Sequence, residues 1–186
     1  MHQPVNTAAL ASPTPNIYLR WITPTTRAEC ERYSEPLQMV LQRMDPKMNA
    51  QQWQDALLGL FTLVFAELPP GSVPAQVFVG IFCLTLFQKS AELHGVYAPY
   101  FDDARTFPPR LRRTIKHAVI ATLLNTIFIQ EGKQKLITKV RQDSALGRAF
   151  ARRYGFTKMQ HPKTRQPIID HGRTVWVLTR EQYVKK

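Results

Sequence analysis

The 186-residue chain is short of cysteine, of glycine and of acidic side chains. Two cysteines, Cys30 and Cys83, make no disulfide framework, which excludes the small stapled secreted folds and suggests two reduced, buried thiols in a cytosolic protein. No stretch reaches the roughly 20 apolar residues that span a bilayer. The longest apolar runs, residues 56–66 and 77–87, are interrupted by Gly59, Thr62, Gly80 and Thr85 and read as core segments. Residues 1–15, MHQPVNTAALASPTP, lack a basic start followed by an apolar block; they are expected to form an extended arm rather than a signal peptide. Residues 16–186 are then expected to form a single domain around one core. Of the 8 glycines none lies between Gly95 and Gly132, so that stretch cannot hold a glycine-rich phosphate loop. No spacing of His, Cys, Asp and Glu suits a metal, and no helix-turn-helix or basic region is present.

Acidic residues number 13 against 25 Lys and Arg, a formal charge of +12. The imbalance is local. Residues 1–104 carry six Lys/Arg against nine Asp/Glu, a balance of −3; residues 105–186 carry nineteen against four, a balance of +15. Such asymmetry marks a surface that meets phosphates or an acidic partner, unless it serves solubility alone. The candidate polyanion contacts are Arg110, Arg112, Arg113 and Lys116, then Arg148, Arg152 and Arg153.

The elements follow from periodicity and punctuation. Ile17–Thr23 alternates as a strand, and Pro24-Thr25-Thr26 starts a helix through the thirties. Gln51–Leu68 reads as a second helix, apolar on most sides in its later half, stopped by Pro69-Pro70-Gly71. Gln76–Gln88 and Ala91–Phe101 read as strands joined by a turn at Gln88-Lys89-Ser90. Pro108-Pro109 opens the longest helix, which ends at Gly132 and is apolar nearly all round beyond His117. Leu136, Ile137 and Val140 form a β-prone run. Asp143 and Ser144 can cap the next helix, in which Ala145, Leu146, Ala149 and Phe150 recur at helical spacing opposite Arg148 and Arg152. Gly155 stands where a helix needs a left-handed stop. Lys158–Ile169 and Thr174–Leu178, separated by Asp170-His171-Gly172, predict a hairpin.

The stretch from Lys135 to Phe156 resembles the C-terminal half of the GNAT (N-acetyltransferase) superfamily, where a strand feeds a helix with the pattern Asn-x-x-Ala-x-x-Leu-Tyr-x-x-x-Gly-Phe. Counted back from Gly155-Phe156, the pattern falls on Ser144, Gly147, Phe150 and Ala151, so its asparagine and tyrosine are both replaced. ELHGVYAPY, Glu92–Tyr100, is similar to the family's central strand, which ends in Val-x-Pro-x-Tyr/Phe. The resemblance implies an α/β (mixed α+β) fold with a central, mostly antiparallel sheet flanked by helices. It also implies an acetyl-CoA site at the open central strand, with Val96, Tyr97, Arg110, Arg112, Arg113 and Ser144 as its candidates here. The family's loop before the long helix carries Arg/Gln-x-x-Gly-x-Gly/Ala. Here that loop is FDDARTFPP, without glycine, with Asp102 and Asp103 facing a pyrophosphate and with two prolines that remove N–H donors.

The family's thiolate-protonating tyrosine aligns with Ala151, and Tyr154 points to another face. Glu92 and His94 are the titratable groups near the open strand and the candidates for a general base. With the loop and the tyrosine both altered, the reading is a GNAT-like, non-catalytic scaffold that needs no cofactor and uses its basic half to bind nucleic acid or an acidic protein surface, away from membranes. The alternative is an acyl-CoA-dependent N-acyltransferase using acetyl-CoA. The missing tyrosine, Phe150 before it, and the turn at Gly172 leading to Trp176 are also loosely similar to GNAT-like internal virion proteins of short-tailed bacteriophages. That likeness implies a place in the host cytoplasm or a virion, with other virion proteins as partners.

Overall fold

A computed structural model describes residues 17–35, 37, 38, 40, 52, 58, 59, 61–68, 74–101 and 108–185. Among these, eight strands form one mostly antiparallel sheet: β1 Tyr18–Ile22, β2 Thr62–Glu67, β3 Gln76–Leu86, β4 Ser90–Tyr97, β5 Lys135–Arg141, β6 Thr157–Lys158, β7 Ile169–Asp170 and β8 Arg173–Thr179. The strand order is β1-β2-β3-β4-β5-β8-β6, with β7 also on β8. The helices are α1 Arg27–Arg32, α2 Pro109–Asn125 (continued by a π-helical turn, Thr126–Gln130), α3 Ala145–Arg153 and α4 Arg180–Val184. The chain divides into two compact units, residues 1–83 with 95–123 and residues 84–94 with 124–186.

In the first unit β1 pairs with β2 and β2 with β3, both antiparallel. The helix expected over Gln51–Leu68 is corrected at its end, since Thr62–Glu67 is strand β2. The run TLVFA is apolar on both faces and rich in branched and aromatic side chains; Leu63, Val64, Phe65 and Ala66 are all buried, which suits an inner strand covered on both sides. The first unit therefore has one more strand than expected. Val64 pairs with Gly80 and Phe65 with Phe78, so Val79 is the extra residue of a bulge. A Cβ at Gly80 would lie 2.3 Å from the carbonyl oxygen of Val96, so only glycine fits there. The strand expected over Ala91–Phe101 ends at Tyr97 and gives way to a 3-10 turn, Pro99–Phe101. Thr26 starts α1 with a capping box to Glu29. In α2, Ile115, Ala118, Val119 and Ile120 are buried, as its apolar length predicts.

In the second unit β4 runs parallel to β5, and β5 pairs antiparallel with β8 over its whole length. His171 and Gly172, with φ of 45° and 72°, supply the two left-handed positions of the turn between β7 and β8. The long strand expected over Lys158–Ile169 is reduced to β6, a single bridge between Gln160 and Pro167, and β7. Its prolines explain the loss, because they cannot donate to a ladder. Ser144 caps α3 by accepting from the Gly147 N–H at 3.1 Å. The helix stops as the sequence predicts: Gly155 has φ 84°, the Phe156 N–H reaches the Ala151 carbonyl at 2.9 Å and the Gly155 N–H that of Arg152 at 3.1 Å. Its expected apolar stripe is corrected. Leu146 is 73 % exposed, whereas Ala151 is fully buried. The helix approaches β5 through Gly147, where a Cβ would meet the Val140 side chain at 2.6 Å. A helix that packs through its smallest residue turns the larger ones outward.

Candidate active site

Strand alternation places Ala91 and Leu93 in the core, and Glu92 and His94 on the other face of β4. Glu92 closes the parallel ladder. Its rungs are Ser90↔Lys135, Ala91↔Leu136 and Glu92↔Ile137, and there it ends, while β5 continues to Arg141 paired only with β8. Residues 138–141 therefore present an edge with no ladder partner in β4, in a sheet whose other described pairings are antiparallel and longer on β5.

Lys139, one repeat beyond Ile137, shares the Glu92 face. Its Nζ lies 2.8 Å from Glu92 Oε1 and 2.9 Å from Asp170 Oδ2. His94 Nε2 is 2.9 Å from the same Glu92 Oε1, and His171 Nε2 lies 3.5 Å from Asp170 Oδ1 at the exposed end of the chain of charges. Burial alone would raise the Glu92 carboxyl, but the hydrogen bond from Lys139 and the charges of His94 and Lys139 outweigh it and hold Glu92 below its ordinary value. Lys139 is pushed up by its hydrogen bonds to Glu92 and Asp170, and Asp170 is lowered chiefly by the hydrogen bond from Lys139. Glu92 and His94, both named from the sequence, are thus joined. Lys139 and Asp170 were missed: Lys139 reads as the solvent side of an amphipathic strand and Asp170 as a turn residue, and only the β5–β8–β7 register brings them to one point.

The remaining candidates are distributed. Tyr97 belongs to an aromatic group in the first unit, its ring 5.4 Å from Phe82 and 6.2 Å from Phe101, and Lys116 Nζ sits 4.8 Å above it. Val96 is half-buried, its carbonyl held against Gly80. Arg112 Nη1 donates to the Phe101 carbonyl at 2.7 Å, tying α2 to the turn after β4. Tyr100 donates its phenol to the Phe78 carbonyl, and burial pushes that phenol up. Arg110 and Arg113 are exposed and form no ion pair among the described residues. Asp102, Asp103 and the rest of 102–107 lie outside those residues. In the second unit Ser144 is committed as a cap, Arg148 donates to the Gln142 carbonyl, and Arg152 and Arg153 stand exposed in the last turn of α3. The two cationic clusters named from the sequence belong to different units. At the tyrosine position Ala151 is fully buried, and Tyr154 packs its ring 4.9 Å from Phe150 with its phenol raised by burial. Among the described residues no group of His, Cys, Asp and Glu could hold a metal ion, and no helix is long and apolar enough to cross a membrane.

The chain has the GNAT fold, as the sequence resemblance implies. Similar solved structures include a GNAT-family acetyltransferase from Bacillus anthracis, 12 % identical with a TM-score of 0.57, covering 94 % of this chain and 98 % of that one. The spermidine/spermine N-acetyltransferase SpeG from Vibrio cholerae is 13 % identical, with a TM-score of 0.55 over 91 % and 96 % of the two chains. Mycobacterium smegmatis RimJ, in complex with CoA-disulfide, is 17 % identical, with a TM-score of 0.55 over 96 % and 89 %. No protein-family model matches the chain, and no curated protein matches it. The neighbours overturn the expectation of a non-catalytic scaffold: the fold is shared over nearly the whole chain with two proteins named as acetyltransferases and with RimJ, which holds a CoA compound. The expectation that no cofactor is needed rested on that scaffold reading and loses its basis with it.

Proposed function

We propose that this protein is an acyl-CoA-dependent N-acyltransferase, transferring an acyl group from the thioester sulfur to an amine nitrogen. The observation that carries the reading is the three-rung ladder ending at Glu92, with β5 running on unpaired toward β4. An edge with free backbone N–H and C=O groups suits the amide-bearing pantetheine arm of acetyl-CoA, which would lie against residues 138–141 as an added strand does. The Ser144 hydroxyl at the head of α3 still has a proton to donate. Acetyl-CoA brings the activated acyl group; the residues described here orient it and handle the proton. Because Ala151 offers no acid, the departing thiolate takes its proton from the protonated base or from water.

The charge distribution supports a choice of acceptor. The second unit holds fifteen Lys and Arg against five Asp and Glu. Within it Lys139 is held between Glu92 and Asp170. Such a surface repels a polycationic amine and favours one carried on a neutral or anionic molecule. Calorimetric titration of acetyl-CoA into the full chain tests the reading. A dissociation constant in the micromolar range, about −8 kcal/mol, is expected. No binding at millimolar acetyl-CoA would overturn it.

A further inference from the structure

One oxygen in the second unit is asked to accept from two cation-forming groups. Glu92 Oε1 lies 2.8 Å from Lys139 Nζ and 2.9 Å from His94 Nε2, and Lys139 is held from its other side by Asp170 at 2.9 Å. An ionised carboxylate oxygen only accepts, so Nε2 must carry the hydrogen of that contact. In the neutral ring the lone pair then sits on Nδ1. The side chain of His94 is 34 % accessible and that of Glu92 17 %, so the imidazole is the outer member of the pair.

Building on the acyltransferase reading, we propose that His94 is the general base, taking the acceptor proton at Nδ1, and that Glu92, braced by Lys139 and Asp170, is a positioning residue. The amine nitrogen attacks the thioester carbonyl carbon, the C–N bond forms and the C–S bond breaks. The electron pair leaves on sulfur, and the nitrogen's proton passes to Nδ1. The imidazolium then returns it to the thiolate or to water, giving amide and thiol. Glu92 is the poorer base on two counts. Its oxygen is already engaged, and its pairing with Lys139 and His94 holds it below its ordinary value, away from the range that suits proton abstraction near neutrality. The charged groups linked to His94 among the described residues of its unit are Glu92 in direct contact, Lys139 from β5 through the shared Glu92 oxygen, and Asp170 from β7 beyond Lys139, with His171 beyond Asp170.

The test uses the full chain with acetyl-CoA and four primary amines: a peptide α-amine, a lysyl peptide, an amino sugar and benzylamine. His94→Gln is expected to lower kcat about 100-fold or more and to abolish the acidic limb of the pH–rate profile. Added imidazole should restore part of the rate in His94→Gly, which a purely structural histidine would not show. Glu92→Gln and Lys139→Met should lower kcat less and displace that limb. Nitrogen-15 NMR of the imidazole reads the tautomer without turnover: Nε2–H is expected in the wild type and a mixture in Glu92→Gln. A wild type that transfers acetyl while His94→Gln matches it, or an Nδ1–H tautomer, overturns the base assignment and leaves the acyltransferase reading standing. A wild type that transfers to none of the amines overturns both.

Discussion

A Cβ at Gly147 would meet the Val140 side chain at 2.6 Å, and one at Gly80 would meet the Val96 carbonyl oxygen at 2.3 Å. The two clashes differ in what can yield. Val140 is a side chain with few alternatives in a buried position; the Val96 oxygen is backbone. Gly147→Ala should therefore destabilise by about 1–3 kcal/mol, and Gly80→Ala by about 3 kcal/mol or more, read as shifts of the urea midpoint at constant slope. The ionic group has its own signature. Glu92 and Asp170 titrate lower in the fold than when unfolded, so their contribution is complete above their unfolded values and is lost as pH falls through the folded ones. Lys139→Met removes the main cation, raises both folded values toward the unfolded ones, and should flatten the fall of stability between about pH 5 and pH 3. An acid limb as steep as that of the wild type would contradict the Lys139 bridge. None of this was readable from residue order, because Lys139 and Asp170 are joined by register across β8.

The α3 segment shows how far local chemistry carries an element. Its cap Ser144 and its stop at Gly155 were legible, because caps and left-handed stops are contacts between residues a few positions apart. Its packing face was not legible. A hydrophobicity count favours Leu146, whereas the structure uses Gly147 and Ala151, since the distance of closest approach outweighs apolar area when a helix lies on a strand. Strand β2 was misread for a related reason: a strand buried on both faces loses its alternation and looks like a buried helix. Ser144→Ala should cost about 1 kcal/mol. Phe156→Ala should cost about 3–5 kcal/mol, since its ring is 4 % exposed. Thermal melts that rank these two variants in the reverse order would contradict the capped-helix account.

At the scale of the whole chain, the order of elements pointed to the fold, and two missing motifs led to the scaffold reading that the neighbours overturn. Absence of a loop glycine and of one tyrosine removes particular donors; it does not remove the strand edge or the Glu92–His94 pair, which depend on β4 ending its ladder with β5 after three rungs. The exposed cations Arg152 and Arg153 support the proposal, first made from charge alone, that the basic half meets a polyanion. Binding to random duplex DNA should then fall by orders of magnitude between 50 mM and about 200 mM salt, and replacing both arginines by glutamine should reduce the salt slope. No binding at low salt would confine the charge to the acceptor or to solubility. The central claim is acyl transfer, and mass spectrometry of the amine panel after incubation with acetyl-CoA tests it most directly. The expected result is an acetylated amine formed in equal amount to free CoA thiol, only in the presence of the protein; with millimolar acetyl-CoA, no acetylated amine and no released thiol would contradict it.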